Sequence, residues 1–152
     1  TTRPIRAGEK NGRDYYFINQ RAFENKKNKG EFLESARVHG YYYGTPGKFA
    51  ERLFRQGKDV LLTIDVKGAF QVCRKFPDSI LIFIFPPSMR QLRERLVKRG
   101  RESSDEIKIR LEVARWELNQ VNKYDYLVIN DDLRKALYQL RAILIAERCK
   151  VK

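Results

Sequence analysis

The chain has 152 residues, 42% of them hydrophobic, enough to bury the core of one domain. No run of eighteen or more apolar residues occurs, which excludes a membrane-spanning helix. Thirty-two Lys and Arg against nineteen Asp and Glu leave a net charge of +13, which attracts anions of every kind and selects none of them.

The first 45 residues hold short aromatic-rich pieces, 15–18 and 41–43, broken by Gly8, Gly12, Gly30, Gly40 and Gly44. They predict a small β-rich lobe without an independent core. Thr45-Pro46 predicts a helix start, with the Thr45 hydroxyl as cap and Pro46 at the first helical position, running to Gln56 and ending at Gly57. Three apolar runs, 60–64, 80–85 and 126–129, lack polar alternation and predict parallel strands covered on both faces.

Between these runs, helices are predicted after Asp65, with Val66, Ala69 and Val72 inward, and from Ser88 to Gly100. A capping box of Ser103 and Glu106 opens another, with Ile107, Leu111, Ala114, Leu118 and Val121 on one face. A last helix follows Asn130 and is expected to bury Leu133, Leu137, Leu140 and Leu144. Strands alternating with helices predict an α/β fold with a mostly parallel sheet flanked by helices.

Cys73 and Cys149, with His39 as the sole histidine, make neither a disulfide framework nor a zinc site. They read as free thiols in a reducing cytoplasm. Thr1-Thr2-Arg3 carries no signal-peptide pattern. His39 beside Gly40 reads as structural.

Four constellations can carry chemistry. Arg3 and Arg6 flank Pro4 in an irregular segment and could clamp a phosphate with guanidinium forks. Glu34 and the aromatic run Tyr41-Tyr42-Tyr43-Gly44-Thr45 offer an acceptor and a floor for a ligand, a carboxylate being able to take both N1–H and the 2-amino group of guanine. Alternatively the tyrosines simply pack the lobe. Asp65 ends the run 62–65, where ligands of α/β sheets gather, and could hold Mg²⁺-bound water or cap the next helix. Arg95 and Arg99 share a helix face, and Arg110 on the following helix can converge with them, as in a lid over polyphosphate. Arg93, Lys98 and Arg101 read as a solvated basic face, with pairs to Glu94 and Glu106.

Taken in order, Thr1-Thr2-Arg3-Pro4, Gly8-Glu9, Asn11-Gly12-Arg13-Asp14-Tyr15-Tyr16-Phe17, Glu31-Phe32-Leu33-Glu34, Tyr42-Tyr43-Gly44-Thr45, Ile64-Asp65-Val66, Phe85-Pro86-Pro87-Ser88, Arg99-Gly100 and Val128-Ile129-Asn130-Asp131-Asp132-Leu133 span the whole chain and resemble guanylate kinase. The resemblance implies a P-loop-kinase-like fold and Mg²⁺-dependent transfer of a phosphoryl group from ATP to GMP. It implies that Arg3, Arg6, Tyr15 and Tyr43 hold the GMP phosphate, and that Glu34 and Thr45 read the guanine. Asp65 would lie near the metal and phosphates, with no direct protein ligand to the ion. Arg95, Arg99 and Arg110 would clamp the ATP phosphates, Arg99, Arg110 and Asp65 acting in catalysis, and Asn130 would lie by the adenine. Within one domain, 1–152, residues 1–45 would be the GMP-binding lobe, 46–88 and 121–152 the core and 89–120 the lid.

Thr63 stands where this family usually has an acidic residue, Lys67 where Gln is common and Ser35 where Trp is common. No G-x-x-x-x-G-K-[ST] occurs in these 152 residues. The family's first strand and its phosphate-binding loop are therefore expected to lie outside a trimmed chain that keeps the acceptor site and lid and cannot catalyse alone. A scaffold domain that binds phosphorylated peptides would keep Arg3, Arg6, Tyr43 and Glu34, but has no use for an ATP clamp. A nucleic-acid module is motivated by charge alone, without a binding motif. The partners expected are GMP and ATP, with no nucleic acid and no membrane, in a cytoplasmic monomer or homodimer.

Overall fold

A computed structural model describes residues 1–100 and 102–151 and divides them into two compact units, Thr1–Ser79 and Ile80–Lys152. The architecture is α/β, with six α-helices and two small sheets among the described residues.

In the first unit, α1 (Gln20–Asn28) precedes a hairpin of β1 (Phe32–Val38) and β2 (Tyr41–Pro46), followed by α2 (Gly47–Arg55) and α3 (Val66–Lys75). The hairpin closes through His39 and Gly40, with φ of 48° and 87°. Positive φ at both turn residues matches the twist of a two-residue connection, which gives the single histidine a structural place. Phe23 of α1 is 1% exposed and stacks between Phe32 and Tyr42. The lobe is thus helical as well as β. Asn19 caps α1 by accepting from the Ala22 amide. The core of the unit joins Leu33, Ala50 and Val72 to Val60, Leu62 and Ile64.

Two expectations change in this unit. The run 60–64 is extended but joins no sheet ladder among the described residues; it lays Val60, Leu62 and Ile64 on the core and leaves Leu61 75% exposed. Among the described residues it is covered on one face. The second change concerns α2, which starts at Gly47 with Pro46 as cap and no side-chain cap bond. Thr45 is not the cap because it lies in β2 and gives its hydroxyl to Glu34. Asp65 does cap α3, accepting from the Gly68 amide, and Val66, Ala69 and Val72 are buried as expected.

The second unit pairs β3 (Ile82–Phe85) with β4 (Tyr126–Ile129) in parallel, in the register Ile82↔Tyr126 to Phe85↔Ile129. Helices α4 (Met89–Arg99) and α5 (Ser104–Leu118) follow β3, and α6 (Leu133–Arg148) follows β4. The predicted stops and starts hold here. Ser88 caps α4, Gly100 ends it with φ 63°, and Ser103 with Glu106 forms the capping box of α5.

The strands again alternate. Phe83, Phe85 and Val128 are buried, while Ile84 and Leu127 are each 51% exposed. Coverage of both faces is not found among the described residues. Along α6 the inward stripe is Ala136, Leu140 and Ile143, and the expected Leu133, Leu137 and Leu144 are exposed. The two stripes share Leu140 and differ by a small rotation of the helix, which leucine spacing alone does not fix. Cys73 and Cys149 form no disulfide among the described residues. Arg101 lies outside the described residues.

Candidate functional site

The first unit gathers most of the expected acceptor residues. Residues 1–3 are stitched to β2: the Thr2 amide donates to the Tyr42 carbonyl at 2.9 Å, the Tyr42 amide donates back to the Thr2 hydroxyl at 2.9 Å, and the Thr1 hydroxyl donates to the same carbonyl. This fixes Arg3 beside Tyr43. The Arg3 guanidinium lies 5.4 Å from the Tyr15 ring centre and 5.5 Å from that of Phe17, and Tyr15 meets Tyr43 edge-on at 6.0 Å. Arg3, Tyr15 and Tyr43 therefore form one cluster.

The residue that orders this cluster is Glu9, to which the sequence reading assigned no role. It accepts from both ends of the Arg3 fork, at 2.8 and 3.0 Å, and from the backbone amide of Arg6 at 2.8 Å. Its hydrogen bond holds the Arg3 guanidinium more firmly in the charged form, while burial opposes this and the Tyr43 hydroxyl assists. The same bond lowers the Glu9 carboxyl. A fork clamped on one side by a carboxylate and faced by aromatic rings keeps its plane fixed, and its remaining N–H groups have one direction to point. The Arg6 side chain stands exposed, its backbone amide bonded to Glu9 and its charge helping to lower the Glu9 carboxyl.

A second cluster forms where β1, β2 and α3 meet. Glu34 pairs across the hairpin with Thr45, just past an irregularity in the ladder between Phe32 and Glu34. The Thr45 hydroxyl donates to Glu34 Oε1 at 2.7 Å, and Glu34 is 4% exposed. Burial pushes the Glu34 carboxyl above its ordinary value of 4.5; the Asp65 carboxylate pushes the same way, and Thr45 and Lys75 pull back. Thr45 serves this carboxylate through its hydroxyl and its backbone, and an ionised carboxylate can accept about four hydrogen bonds.

Gly68 makes this seat possible. A Cβ there would stand 2.7 Å from Glu34 Oε2 and 3.1 Å from Asp65 Oδ1. The sequence alone assigned Gly68 no role. Its signal is a glycine in the first turn of a helix with no turn to explain it. Ser35, for its part, is held through its backbone: Gln71 donates to its carbonyl at 2.9 Å and accepts from its amide at 3.2 Å. Thr63 and Lys67 are exposed.

Asp65 uses Oδ1 for the cap of α3. No group of three or more His, Cys, Asp or Glu among the described residues is arranged to hold a metal directly. A single carboxylate such as Asp65 is chemically compatible with Mg²⁺, which keeps several waters and binds through one or two carboxylates plus substrate phosphates.

In the second unit, Arg99 and Arg110 converge on one carboxylate, Glu102. Arg99 donates to Glu102 Oε1, and Arg110 reaches the same oxygen at 3.3 Å. Arg95 stands exposed one turn earlier on α4, and no bond among the described residues ties it to the pair. The convergence expected for three arginines is seen for two, because Glu102 follows α4 directly and reaches its last turn. Arg90, not one of the three, makes the long 3.8 Å pair with Glu94, and Glu106 serves the capping box. Asn130 follows β4, half-buried, its backbone amide donating to the Phe85 carbonyl at 2.7 Å.

Comparison with known proteins agrees with this organisation. The family model for guanylate kinase matches residues 1–147. The guanylate kinase of Caldanaerobacter subterraneus subsp. tengcongensis is 49% identical over 99% of this chain and 73% of its own length. That of Thermotoga maritima is 46% identical over the same shares. The crystal structure of guanylate kinase from Anaplasma phagocytophilum superposes with a TM-score of 0.85 at 36% identity, covering 99% of this chain and 73% of that one. The chain belongs to the guanylate kinase family and is a nucleoside monophosphate kinase.

Proposed function

We propose that GMP is the acceptor and ATP the donor, with Glu34 and Thr45 reading the guanine and Arg3, Arg6, Tyr15 and Tyr43 holding the GMP phosphate. The observation that carries this reading is the buried Glu34 carboxylate, given room by Gly68 and bonded by Thr45 alone, through its hydroxyl and its backbone, among the described residues. Guanine presents N1–H and the 2-amino N–H side by side, the donor pair such a carboxylate lacks. Adenine presents an acceptor at N1 and would be refused. The Glu9-braced Arg3 beside Tyr15 and Tyr43 supports a phosphate seat in the same lobe.

On the donor side, Arg95, Arg99 and Arg110 would neutralise the ATP phosphates, and Asn130 would lie by the adenine. Residues 1–45 would serve as the GMP lobe, 89–120 as the lid, and the remainder as the core of one domain, in a cytoplasmic monomer or homodimer. A GMP phosphate oxygen forms the new bond to the terminal phosphorus of ATP as the bond to the ADP oxygen breaks. The acceptor is already an anion, so no strong base is needed, and the protein's work is alignment and charge neutralisation. Arg99 and Arg110 suit the spread charge of that transition state, being permanently charged forks. Bound Mg²⁺ would neutralise the donor phosphates, and Asp65 would hold it through water.

A coupled ADP-release assay on the full-length gene product tests this reading. Turnover should require ATP, Mg²⁺ and GMP together, and AMP should not replace GMP. Arg99→Ala should cut turnover with little change in GMP binding. GMP-independent turnover, or an unchanged rate in Arg99→Ala, would remove the respective assignments.

A further inference from the structure

Glu102 is the most deeply buried charged side chain of the second unit's arginine cluster. Its side chain is 4% exposed, against 42% for Arg99 and 22% for Arg110. One oxygen, Oε1, serves both guanidiniums. The other, Oε2, is buried and accepts from nothing among the described residues. Burying a carboxylate is costly unless its charge and lone pairs are satisfied. Here the charge is balanced twice over and the lone pairs are only half used. A surface ion pair formed by chance would sit in water and satisfy both oxygens.

The geometry explains what the arrangement achieves. Arg99 ends α4 and Arg110 lies in the second turn of α5, so the two belong to different helices. Two guanidiniums placed close together repel, and each long side chain has many rotamers. A carboxylate fixed between them removes the repulsion and selects one rotamer of each. It engages Nη2 of each guanidinium, and no other bond of either fork is seen among the described residues. The exposure of Arg99 lets its other N–H groups meet a ligand from solvent.

We propose that Glu102 is a positioning residue for phosphoryl transfer: it holds Arg99 and Arg110 at the spacing that engages the donor polyphosphate, without touching either nucleotide. This rests on the reading of Arg99 and Arg110 as the donor-phosphate clamp. It differs from that reading in giving the alignment of the pair to a third residue.

The test uses the full-length gene product with ATP, Mg²⁺ and GMP. Glu102→Gln keeps the volume and removes the charge. It should lower kcat by about tenfold to a hundredfold, the range a misplaced clamp costs, while the KM for GMP stays within about twofold. Glu102→Asp keeps the charge on a shorter stem and should restore part of kcat. In an Arg110→Ala background, Glu102→Gln should cost much less than in the wild type, because the residue to be positioned is gone.

If Glu102→Gln melts below the assay temperature, Glu102→Asp carries the same split between kcat and KM. An unchanged kcat in folded Glu102→Gln overturns the proposal, as does a raised kcat, which would make Glu102 a competitor of the phosphates. Loss of stability with kcat per folded molecule unchanged also overturns it, assigning Glu102 to the helical hairpin alone. If Arg99→Ala and Arg110→Ala leave turnover intact, the clamp reading itself fails. If they abolish it and Glu102→Gln does not, only the positioning role fails.

Discussion

Gly68→Ala sets two effects of opposite sign against each other. Gly68 is the third residue of α3, and replacing a helical Gly by Ala stabilises by about 1 kcal/mol when the site has room. It has none. The new Cβ would stand 2.7 Å from Glu34 Oε2, and ordinary contact begins at 3.4 Å, so the carboxylate must retreat by about 0.7 Å. Glu34 is 4% exposed and bonded to Thr45 at 2.7 Å, so retreat strains that bond or the strand carrying it. Overpacking costs about 1–3 kcal/mol, and weakening a hydrogen bond to a charged group up to about 3 more. The net expectation is a loss of about 1–3 kcal/mol, which lowers Tm by roughly 3–10 °C in a domain of this size. GMP affinity should fall by about tenfold or more, since the displaced carboxylate no longer meets the base, and ATP affinity should not change. Thermal melts and calorimetric titrations with each nucleotide measure all three quantities. A Gly68→Ala protein that melts higher and binds GMP normally would refute the steric argument.

Glu34→Gln should stabilise the unliganded protein at neutral pH. The Glu34 carboxyl is raised above its ordinary 4.5 in the fold, so the native state binds the extra proton, and stability falls as pH rises from 4.5 through the folded value. Gln keeps an acceptor for Thr45 and removes the charge; its advantage in Tm should be present at pH 7 and vanish below about pH 4.5. An equal or lower Tm at pH 7 contradicts this. Glu9→Gln should weaken GMP and leave ATP alone, because Arg3 loses the charged half of its brace. Inorganic phosphate should lose affinity in parallel with GMP in that variant, and an unchanged phosphate affinity would remove Glu9 from the seat.

The features legible in the sequence were those written in neighbouring residues. Ser88, Asp65 and the Ser103–Glu106 pair cap their helices because a cap needs only a side chain three residues from an amide. Thr45-Pro46 carried the same local signal and misled. The hydroxyl was claimed across the hairpin by Glu34, a contact between strands that local spacing cannot show. Two of the three apolar runs coincide with strands, 60–64 being extended without a ladder among the described residues, and all three overstated coverage, since Leu61, Ile84 and Leu127 are apolar yet exposed. Helix α1 was missed because Phe23 is its one buried residue, in a segment rich in lysine. Glu9 and Glu102 escaped for a different reason. Each acts on an arginine through a loop or across a helix junction, and carboxylates near arginines are too common in a chain this charged to single out two of them. The residues proposed to touch the nucleotides were named from the family pattern; Glu9, which bonds to Arg3, and Glu102, which bonds to Arg99 and Arg110, became visible only in three dimensions.

A titration of GMP against the wild-type full-length gene product and Glu34→Gln, with ATP titrated in parallel, tests the account most directly. Losing a charged acceptor for two guanine donors should weaken GMP by about 1.5–3 kcal/mol, or about 10- to 150-fold, with ATP affinity unchanged. GMP binding within twofold of wild type, or an equal loss for both nucleotides, would contradict the assignment of Glu34 to the guanine base.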